Sequence, residues 1–284
     1  MLPSASCQSD LESTKSAGIA QYKEPLMRVS PFSRVGKRRR AKVDTVLNVI
    51  NPKVLEIGAF DNATFWCELG DDVKYTDFFS KEELLELYAG NPRRRLDKLV
   101  DVDFVVKDGD FANKVGGNYD LVIANHVVEH VPDLIGWLKQ ISAVLKPNGM
   151  LFLSIPDKNY TFDVHRPLST WIDVIRAHED LRTKPDALTI AQAKWYHTRV
   201  DKTALWDGEA PAPRPIRSSL AEILSESRIR SQDYVDTHCW VFVPCSFEAL
   251  MQDLASAQEI DFDVQRIDET EYNTSEFHAI LKKR

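Results

Sequence analysis

Short apolar runs alternate with helix-like segments between residues 53 and 156 of the chain. Turn residues bound each run, and the runs have the length of buried strands. Strands that are covered by helices on both faces show this pattern, so it predicts a parallel sheet. The predicted strands are residues 53–58, 73–77, 102–106, 119–125 and 150–156.

Helix signals occupy the segments between these runs. Ser80, followed by Glu83, predicts a capping box. A basic run at residues 36–42 leads into residues 43–50, which we expect to be helical. After Pro156 the alternation stops, and the following stretches predict a helical insertion. The chain then returns to one more helix, at residues 246–258, and two late strands that can pair antiparallel.

The pattern as a whole predicts an α/β fold with a Rossmann-like, mostly parallel sheet whose last strand is antiparallel. Four regions are expected along the chain. They are a flexible or loosely docked arm (1–40), a cofactor-binding half (41–156), a helical insertion that caps the substrate (157–245), and a final helix with closing strands (246–284).

The composition of the chain excludes or disfavours some functional classes of protein. The 284 residues contain 36 Lys and Arg against 43 Asp and Glu, a net charge of −7, which disfavours a general nucleic-acid binder. The four cysteines lack zinc-site spacing. We expect a cytoplasmic protein, because neither a secretory signal nor an apolar stretch of bilayer length is visible. Its oligomeric state stays open.

Polar residues stand at the ends of the first two predicted strands. Glu56 and Gly58 end the first strand, and Asp77 ends the second. In an open α/β sheet, ligands bind at the carboxyl ends of the strands. Gly58 has no Cβ and permits close approach of a ligand, and Asp77 can accept hydrogen bonds from both hydroxyls of a ribose. Ordinary strand ends remain the alternative interpretation.

The loop after the first strand discriminates between cofactors. A dinucleotide site needs GxGxxG, but the three positions here are Gly58, Phe60 and Ala63. No phosphate-binding GxxxxGK[ST] loop occurs in the chain. S-adenosylmethionine has no phosphates, so a loop with one essential glycine can hold it. Asp61 and Asn62 tolerate left-handed backbone and are expected to make the turn in place of the missing glycines.

Two later stretches carry a resemblance. NYDLVIANHVVEHVPD (118–133) and LKPNGMLFLSIPD (145–157) resemble class I S-adenosylmethionine-dependent methyltransferases. Three stretches look like a bacterial group of these enzymes that is associated with the synthesis of capsule and other surface polysaccharides. They are HVVEHVPDLIGWLKQISAVLKPNG (126–149), IPDKNYTFDVHRP (155–167) and VDTHCWVFVPCSF (235–247). The first loop departs from that group, and Phe60 is not explained by it.

The resemblance implies roles for the residues at the strand ends. Glu56 and Gly58 would line the methionine end of the cofactor, and Asp77 would bind the ribose. Asp108 would lie near the adenine, with Asp110 as the alternative. Asn125 and His126 would face the sulfonium. These six cofactor candidates are Glu56, Gly58, Asp77, Asp108, Asn125 and His126.

The expected reaction is O-methylation of a saccharide or saccharide-linked precursor. A sugar hydroxyl needs a general base within hydrogen-bond reach, and the candidates are Asp157, Asp163, His165 and His238. Glu129 and His130 are expected to tie down the loop after the fourth strand. No carboxylate cluster suggests a metal, so metal-independent transfer is expected. The alternatives are a non-sugar small-molecule acceptor and a cofactor-free interaction module that keeps the fold.

Overall fold

The computed structural model describes residues 33–107, 109–213 and 218–284. Helices alternate with strands in the first half, then follow one another in the insertion. The helices are α1 (Arg34–Asp44), α2 (Lys81–Leu87), α3 (Phe111–Val115), α4 (Leu134–Val144), α5 (Trp171–Glu179), α6 (Ala187–Tyr196), α7 (Lys202–Trp206), α8 (Leu220–Arg230) and α9 (Pro244–Ser256). The strands are β1 (Val54–Ile57), β2 (Val73–Asp77), β3 (Phe104–Val105), β4 (Tyr119–Asn125), β5 (Leu145–Pro156), β6 (Phe262–Asp268) and β7 (Glu276–Lys283).

The strands form one seven-stranded sheet in the order β3-β2-β1-β4-β5-β7-β6. The first five strands pair in parallel, and β7 runs antiparallel to both β5 and β6. The predicted mostly parallel sheet with an antiparallel last strand is therefore confirmed. Because β7 is reversed, its first residue, Glu276, lies at the same edge as the carboxyl ends of the parallel strands.

Apolar side chains cover both faces of the sheet. On one face, the fully buried Leu138 and Ile141 of α4 and Phe247 of α9 belong to a large cluster with β4, β5 and β7. A smaller cluster on the other face contains Val43 and Phe65. Every residue of β1 is buried, as expected for a strand with neighbours on both sides and helices on both faces.

The first described helix differs from the prediction. α1 covers the basic run itself and ends at Asp44, so a helix over residues 43–50 was wrong. Ser33 caps it by accepting a hydrogen bond from the Gly36 amide. The rest of the predicted arm, residues 1–32, lies outside the described residues. In contrast, the predicted capping box of Ser80 and Glu83 is present at the start of α2.

Helices α5 to α8 occupy the predicted insertion between β5 and α9. The insertion joins the sheet through a bridge between Asp157 and Phe242, and the amide of Lys158 donates to the carbonyl of Phe242. Whether the four predicted regions act as separate functional units stays a prediction. Of the helices in the described ranges, none has both the length and the apolarity that a bilayer crossing needs.

Candidate functional site

The loop after β1 is held from beneath by Glu56. This carboxylate is fully buried and accepts hydrogen bonds from the backbone amides of Thr64, at 2.8 Å, and Phe65, at 3.1 Å. Asn125 at the end of β4 donates to the same carboxylate, at 3.1 Å. Glu56 thus fixes the path of the loop, because its oxygens accept hydrogen bonds from the loop amides and from Asn125.

Asn125 is engaged in the same way. Besides Glu56, its side-chain amide donates to the hydroxyl of Thr64, and its oxygen accepts from Ser154 at 2.6 Å. All of its described contacts serve to tie β1, β4, β5 and the loop together. The structure therefore gives Glu56 and Asn125 a supporting position, and direct contact of either with a cofactor stays a prediction.

Burial raises the pKa of the Glu56 carboxyl from 4.5 to about 7, although the amides of Thr64 and Phe65 favour its ionised form. The unfolded chain ionises this group near 4.5, so its contribution to stability is complete below that pH and is lost as the pH rises through 7. The difference corresponds to about 3 kcal/mol. We expect the free energy of unfolding of the native protein, relative to that of Glu56→Gln, to fall by up to this amount between pH 4.5 and 8.

Urea denaturation of both proteins across this pH range measures the effect. Glu86→Gln is the matched control for the chemistry of the substitution, because Glu86 is exposed on α2. A flat difference for Glu56→Gln would mean that the Glu56 carboxyl titrates at its ordinary pKa.

Two left-handed residues turn the chain away from β1. Gly58 has φ +64°, and Phe60 has φ +48°. The expectation that Asp61 and Asn62 would make this turn was wrong, since the left-handed residue of the loop after Gly58 is Phe60. The Phe60 ring packs at 4.8 Å from the ring of Tyr88, with Arg94 over its face. Its described ring contacts thus lie with α2 and the segment that follows it.

Asp77 ends β2 beside this loop and is only partly buried. One carboxylate oxygen accepts from the amide of Phe79 at 3.0 Å, and burial raises the pKa of the group. The adjacent Phe78 stacks on Tyr234 from the insertion, with ring centroids 5.5 Å apart. Asp77 therefore lies where aromatic rings from two parts of the chain meet.

His126 leaves β4 in the left-handed conformation, with φ +55°. Its Nε2 lies 2.7 Å from Glu276 and its Nδ1 lies 3.3 Å from Glu129. Burial alone would lower the pKa of His126, but these two carboxylates outweigh it and raise the pKa to about 9. The imidazole is thus a cation at neutral pH, and about two-fifths of its side chain is exposed.

Glu276 joins this histidine to α1. It accepts from both Arg38 and Arg39 at 2.6 Å, and the Arg39 side chain is almost fully buried. Burial alone would raise the pKa of Glu276, but His126, His278 and Arg39 hold it far below its ordinary range. The basic run of the sequence therefore forms intramolecular ion pairs at the carboxyl edge of the sheet.

Main-chain hydrogen bonds dock a distant segment onto the turn that follows His126. The carbonyl of Glu129 accepts from the amides of Cys239, at 2.6 Å, and Trp240, at 3.2 Å. The indole of Trp240 donates to the carbonyl of Val131 at 2.7 Å. This docking places His238, the residue before Cys239, against His130, with ring centroids 4.8 Å apart.

The molecule thus combines a seven-stranded sheet, a glycine turn after β1, an acidic residue at the end of β2 and a histidine-rich exit from β4. A family profile described as a methyltransferase domain matches residues 19–254, more than half of the chain. The chain belongs to this methyltransferase-domain family. The resemblance to the narrower polysaccharide-associated group is not part of that finding.

Individual relatives of this methyltransferase-domain chain are distant. A methyltransferase of Penicillium decumbens, calH, is 33% identical over 134 residues, which cover 42% of this chain and 36% of that protein. A ubiquinone biosynthesis O-methyltransferase of Coxiella burnetii is 20% identical over 161 residues, 56% of this chain and 68% of that protein. The chain thus matches only about a third of the length of the Penicillium relative.

Among solved structures, the magnesium protoporphyrin IX methyltransferase of Synechocystis PCC 6803 with bound SAH is 12% identical and has a TM-score of 0.40. The alignment covers 88% of this chain and 82% of that one. A TM-score of this size leaves the family assignment to the sequence match.

Of the predicted catalytic residues of this methyltransferase-domain chain, the structure brings Asp163 and His238 together. Asp163 is buried and lies 2.5 Å from Nδ1 of His238. The same carboxylate pairs with the fully buried Arg166 at 3.0 Å. Burial would raise the pKa of Asp163, but His238 and Arg166 outweigh it and lower the pKa. Asp163 is therefore an anion that orients the imidazole.

The other two catalytic candidates lie in different surroundings. Asp157 is buried and accepts from the Thr270 hydroxyl at 2.7 Å and the Asn159 amide at 2.9 Å, which ties the chain after β5 in place. His165 lies 2.8 Å from the carbonyl oxygen of Ala212 within the insertion. Their described contacts are those of structural residues, so a catalytic role for either stays a prediction.

One of the two adenine candidates lies within the described residues. Asp108 lies outside the described residues. Its alternative, Asp110, precedes α3 and accepts from the side chain of Asn113 at 2.6 Å. Contact of either residue with an adenine stays a prediction.

A cavity of about 360 Å³ opens elsewhere, between α1 and the outermost strand β6. Its basic lining residues are Arg38, Lys42 and Arg266, and each of them pairs with an acidic residue of the same region. The basic side chains of this cavity are therefore already neutralised by ion pairs within the protein. The strand ends between β1 and β4 remain the better candidate site.

Proposed function

We propose that the protein transfers a methyl group from S-adenosylmethionine to a hydroxyl oxygen of a small molecule. The observation that carries the proposal is the arrangement of Gly58, Asp77 and His126 at the carboxyl ends of adjacent strands, in a chain of the methyltransferase-domain family. This is the edge at which α/β sheets bind ligands.

The cofactor is proposed to lie across Gly58, with its ribose hydroxyls on Asp77. Gly58 presents backbone without a Cβ, and Asp77 keeps a partly exposed carboxylate beside it. Phe78 and Tyr234, both substantially exposed, offer flat rings next to Asp77 for the adenine. Glu56 and Asn125 act from beneath by holding the loop.

The acceptor is proposed to lie on the side of Glu129, His130 and His238, next to the exit of β4. In the reaction the methyl carbon forms a bond to the acceptor oxygen, while its bond to sulfur breaks. The electron pair of that bond stays on sulfur, which becomes the neutral thioether of S-adenosylhomocysteine. The hydroxyl must release its proton, so ionisable groups are needed at this place.

A saccharide hydroxyl is the first acceptor to test. Polar groups crowd the proposed acceptor side, and Phe162 lies 4.8 Å from His238 with an exposed ring on which the apolar face of a sugar can pack. A non-sugar acceptor is the second candidate, since the Coxiella relative is named as an O-methyltransferase of ubiquinone biosynthesis.

Calorimetry with purified protein tests the cofactor directly. We expect S-adenosylmethionine to bind, and Asp77→Asn to weaken the binding about tenfold to a hundredfold, because a hydrogen bond to a charged group contributes about 1.5–3 kcal/mol. The asparagine keeps an oxygen for the Phe79 amide. Asp101→Asn is the control, since that side chain is 93% exposed. Absence of binding by the unaltered protein would refute the proposed function.

The acceptor is then found with labelled S-adenosylmethionine and two panels, one of nucleotide sugars and glycans, the other of phenols and carboxylic acids. Label transfer to the first panel alone supports saccharide methylation. Transfer to the second panel alone contradicts it and leaves the methyltransferase proposal standing.

A further inference from the structure

Glu129 is a buried carboxylate with an unusual environment. Its side chain is 1% exposed, and neither of its oxygens accepts a hydrogen bond from a described residue. The nearest cationic partners are Nδ1 of His126 at 3.3 Å and Nε2 of His130 at 3.8 Å. An ionised carboxylate in such a place is costly unless a cation compensates it. Oε1 has these two imidazoles beside it, whereas Oε2, which accepts no hydrogen bond from a described residue, remains available to a ligand.

Two imidazoles converge on this carboxylate. One ligand atom from each of Glu129, His130 and His238 lies within 4.8 Å of the others. Glu129 and His130 come from the turn after β4, while His238 arrives with the segment that the Glu129 carbonyl docks. Two histidines and one carboxylate form a common ligand set for divalent transition-metal ions, with coordination positions left open.

Each histidine also has the outer partner that metal-binding imidazoles need. Nδ1 of His238 lies 2.5 Å from Asp163, and Nδ1 of His130 lies 2.7 Å from Asp236. A carboxylate on one ring nitrogen fixes the tautomer and orients the other nitrogen toward a metal. In His238 the hydrogen bond to Asp163 leaves Nε2 for coordination. In His130 the Asp236 carboxylate lies beside Nδ1 as an ion-pair partner, and Nε2 is the nitrogen that faces Glu129. These two imidazoles face one buried carboxylate whose Oε2 accepts no hydrogen bond from a described residue.

We propose that Glu129, His130 and His238 bind a divalent transition-metal ion such as Zn²⁺. His238 is then a ligand, and Asp163 and Asp236 are positioning residues. This replaces the expectation of a metal-free site. Where the proposed O-methylation also holds, an acceptor hydroxyl bound at an open position loses its proton to water more readily, because the metal lowers its pKa. That last step rests on the proposed function, whereas metal binding does not.

Metal titration of the chelator-treated protein, without S-adenosylmethionine or acceptor, tests the site. We expect one Zn²⁺ per chain by calorimetry and metal analysis, and a Co²⁺ complex whose visible absorption reports the coordination. Mg²⁺ should bind far more weakly, because it prefers oxygen ligands. Failure of both Zn²⁺ and Co²⁺ to bind would overturn the proposal and leave the cluster as a network that ties down the loop.

Variants then assign the ligands. We expect Glu129→Gln and His238→Ala each to weaken Zn²⁺ binding at least a hundredfold. His178→Ala is the matched control, because His178 also faces a carboxylate, Asp133, at 2.9 Å but lies outside the cluster. It should bind Zn²⁺ as the unaltered protein does. Equal affinity in the ligand variants and the control would contradict the assignment.

Asp236→Asn tests the site with a variant that keeps all three proposed ligands, in case the ligand variants misfold. The Asp236 side chain is 74% exposed, so its replacement should leave the fold intact. Loss of an outer partner typically weakens metal binding 10–100-fold, and we expect about tenfold here. Unchanged Zn²⁺ affinity in this variant would argue against the site. S-adenosylmethionine binding is measured separately, so failure of the metal site and failure of the proposed function can be told apart.

Discussion

Gly58→Ala is expected to weaken S-adenosylmethionine binding about tenfold to a hundredfold. Gly58 has φ +64°, a conformation that costs an L-residue roughly 1–2 kcal/mol. An added Cβ would meet Cγ2 of Val127 at 3.1 Å and otherwise face open space, which is where we place the cofactor. The strain and the contact are both relieved by moving the loop, and a moved loop no longer fits the ligand.

Gly90→Ala separates this effect from strain alone. Gly90 also has a positive φ, +73°, but nothing lies within 4 Å of its would-be Cβ. Both variants should lose stability in thermal denaturation because of the positive φ, and calorimetry should show weakened cofactor binding for Gly58→Ala only. Equal affinities in the two variants would move the cofactor away from this loop.

Arg39→Ala is expected to destabilise the protein by about 3 kcal/mol, since removing one partner of a buried ion pair costs roughly 3–5 kcal/mol. Arg39 contacts both oxygens of Glu276, at 3.3 and 2.6 Å. The loss lies at the low end of the range because Arg38 and His126 still neutralise Glu276. The melting temperature should fall by roughly 10 °C in calorimetric scans.

Arg34→Ala provides the comparison within the same helix. Arg34 is exposed at the start of α1, and a substitution there should change stability by less than about 0.5 kcal/mol. Equal and small changes for the two variants would show that the Arg39 pair contributes little to docking α1 on the sheet.

The sequence located the strand ends because they depend on local pattern. Apolar runs that stop at turn residues marked the ends of β1, β2 and β4, and so placed Gly58, Asp77 and His126 at one edge of the sheet. The glycine directly follows β1, and the acidic residue is the last residue of β2. Their relative position then follows from the parallel pairing of neighbouring strands.

The direction in which a side chain points could be predicted less well from the sequence. Glu56 and Asn125 were placed correctly at strand ends, but every residue of β1 is buried, so alternation gives no clue to which way Glu56 points. The same limit applies to Phe60, where a bulky residue adopts φ +48°. Aromatic packing on Tyr88 accompanies that conformation, and it involves a residue from another element.

The cluster at Glu129, His130 and His238 was the hardest to foresee. It depends on the docking of residues 239–240 onto the carbonyl of Glu129, and a main-chain acceptor leaves no mark in a sequence. The repeated pairing of histidine with carboxylate could have raised the question, because VEH and VDTH both carry the two residue types.

The network of Glu56, Asn125, Thr64 and Ser154 has a thermodynamic consequence for ligand capture. A loop that is already fixed by the fold gives up little conformational entropy when a ligand arrives, so less of the contact energy is lost in ordering it. Weakening the network should therefore leave the binding enthalpy nearly unchanged and make the binding entropy less favourable. The affinity of this edge of the sheet for a ligand therefore depends on order that folding has already established.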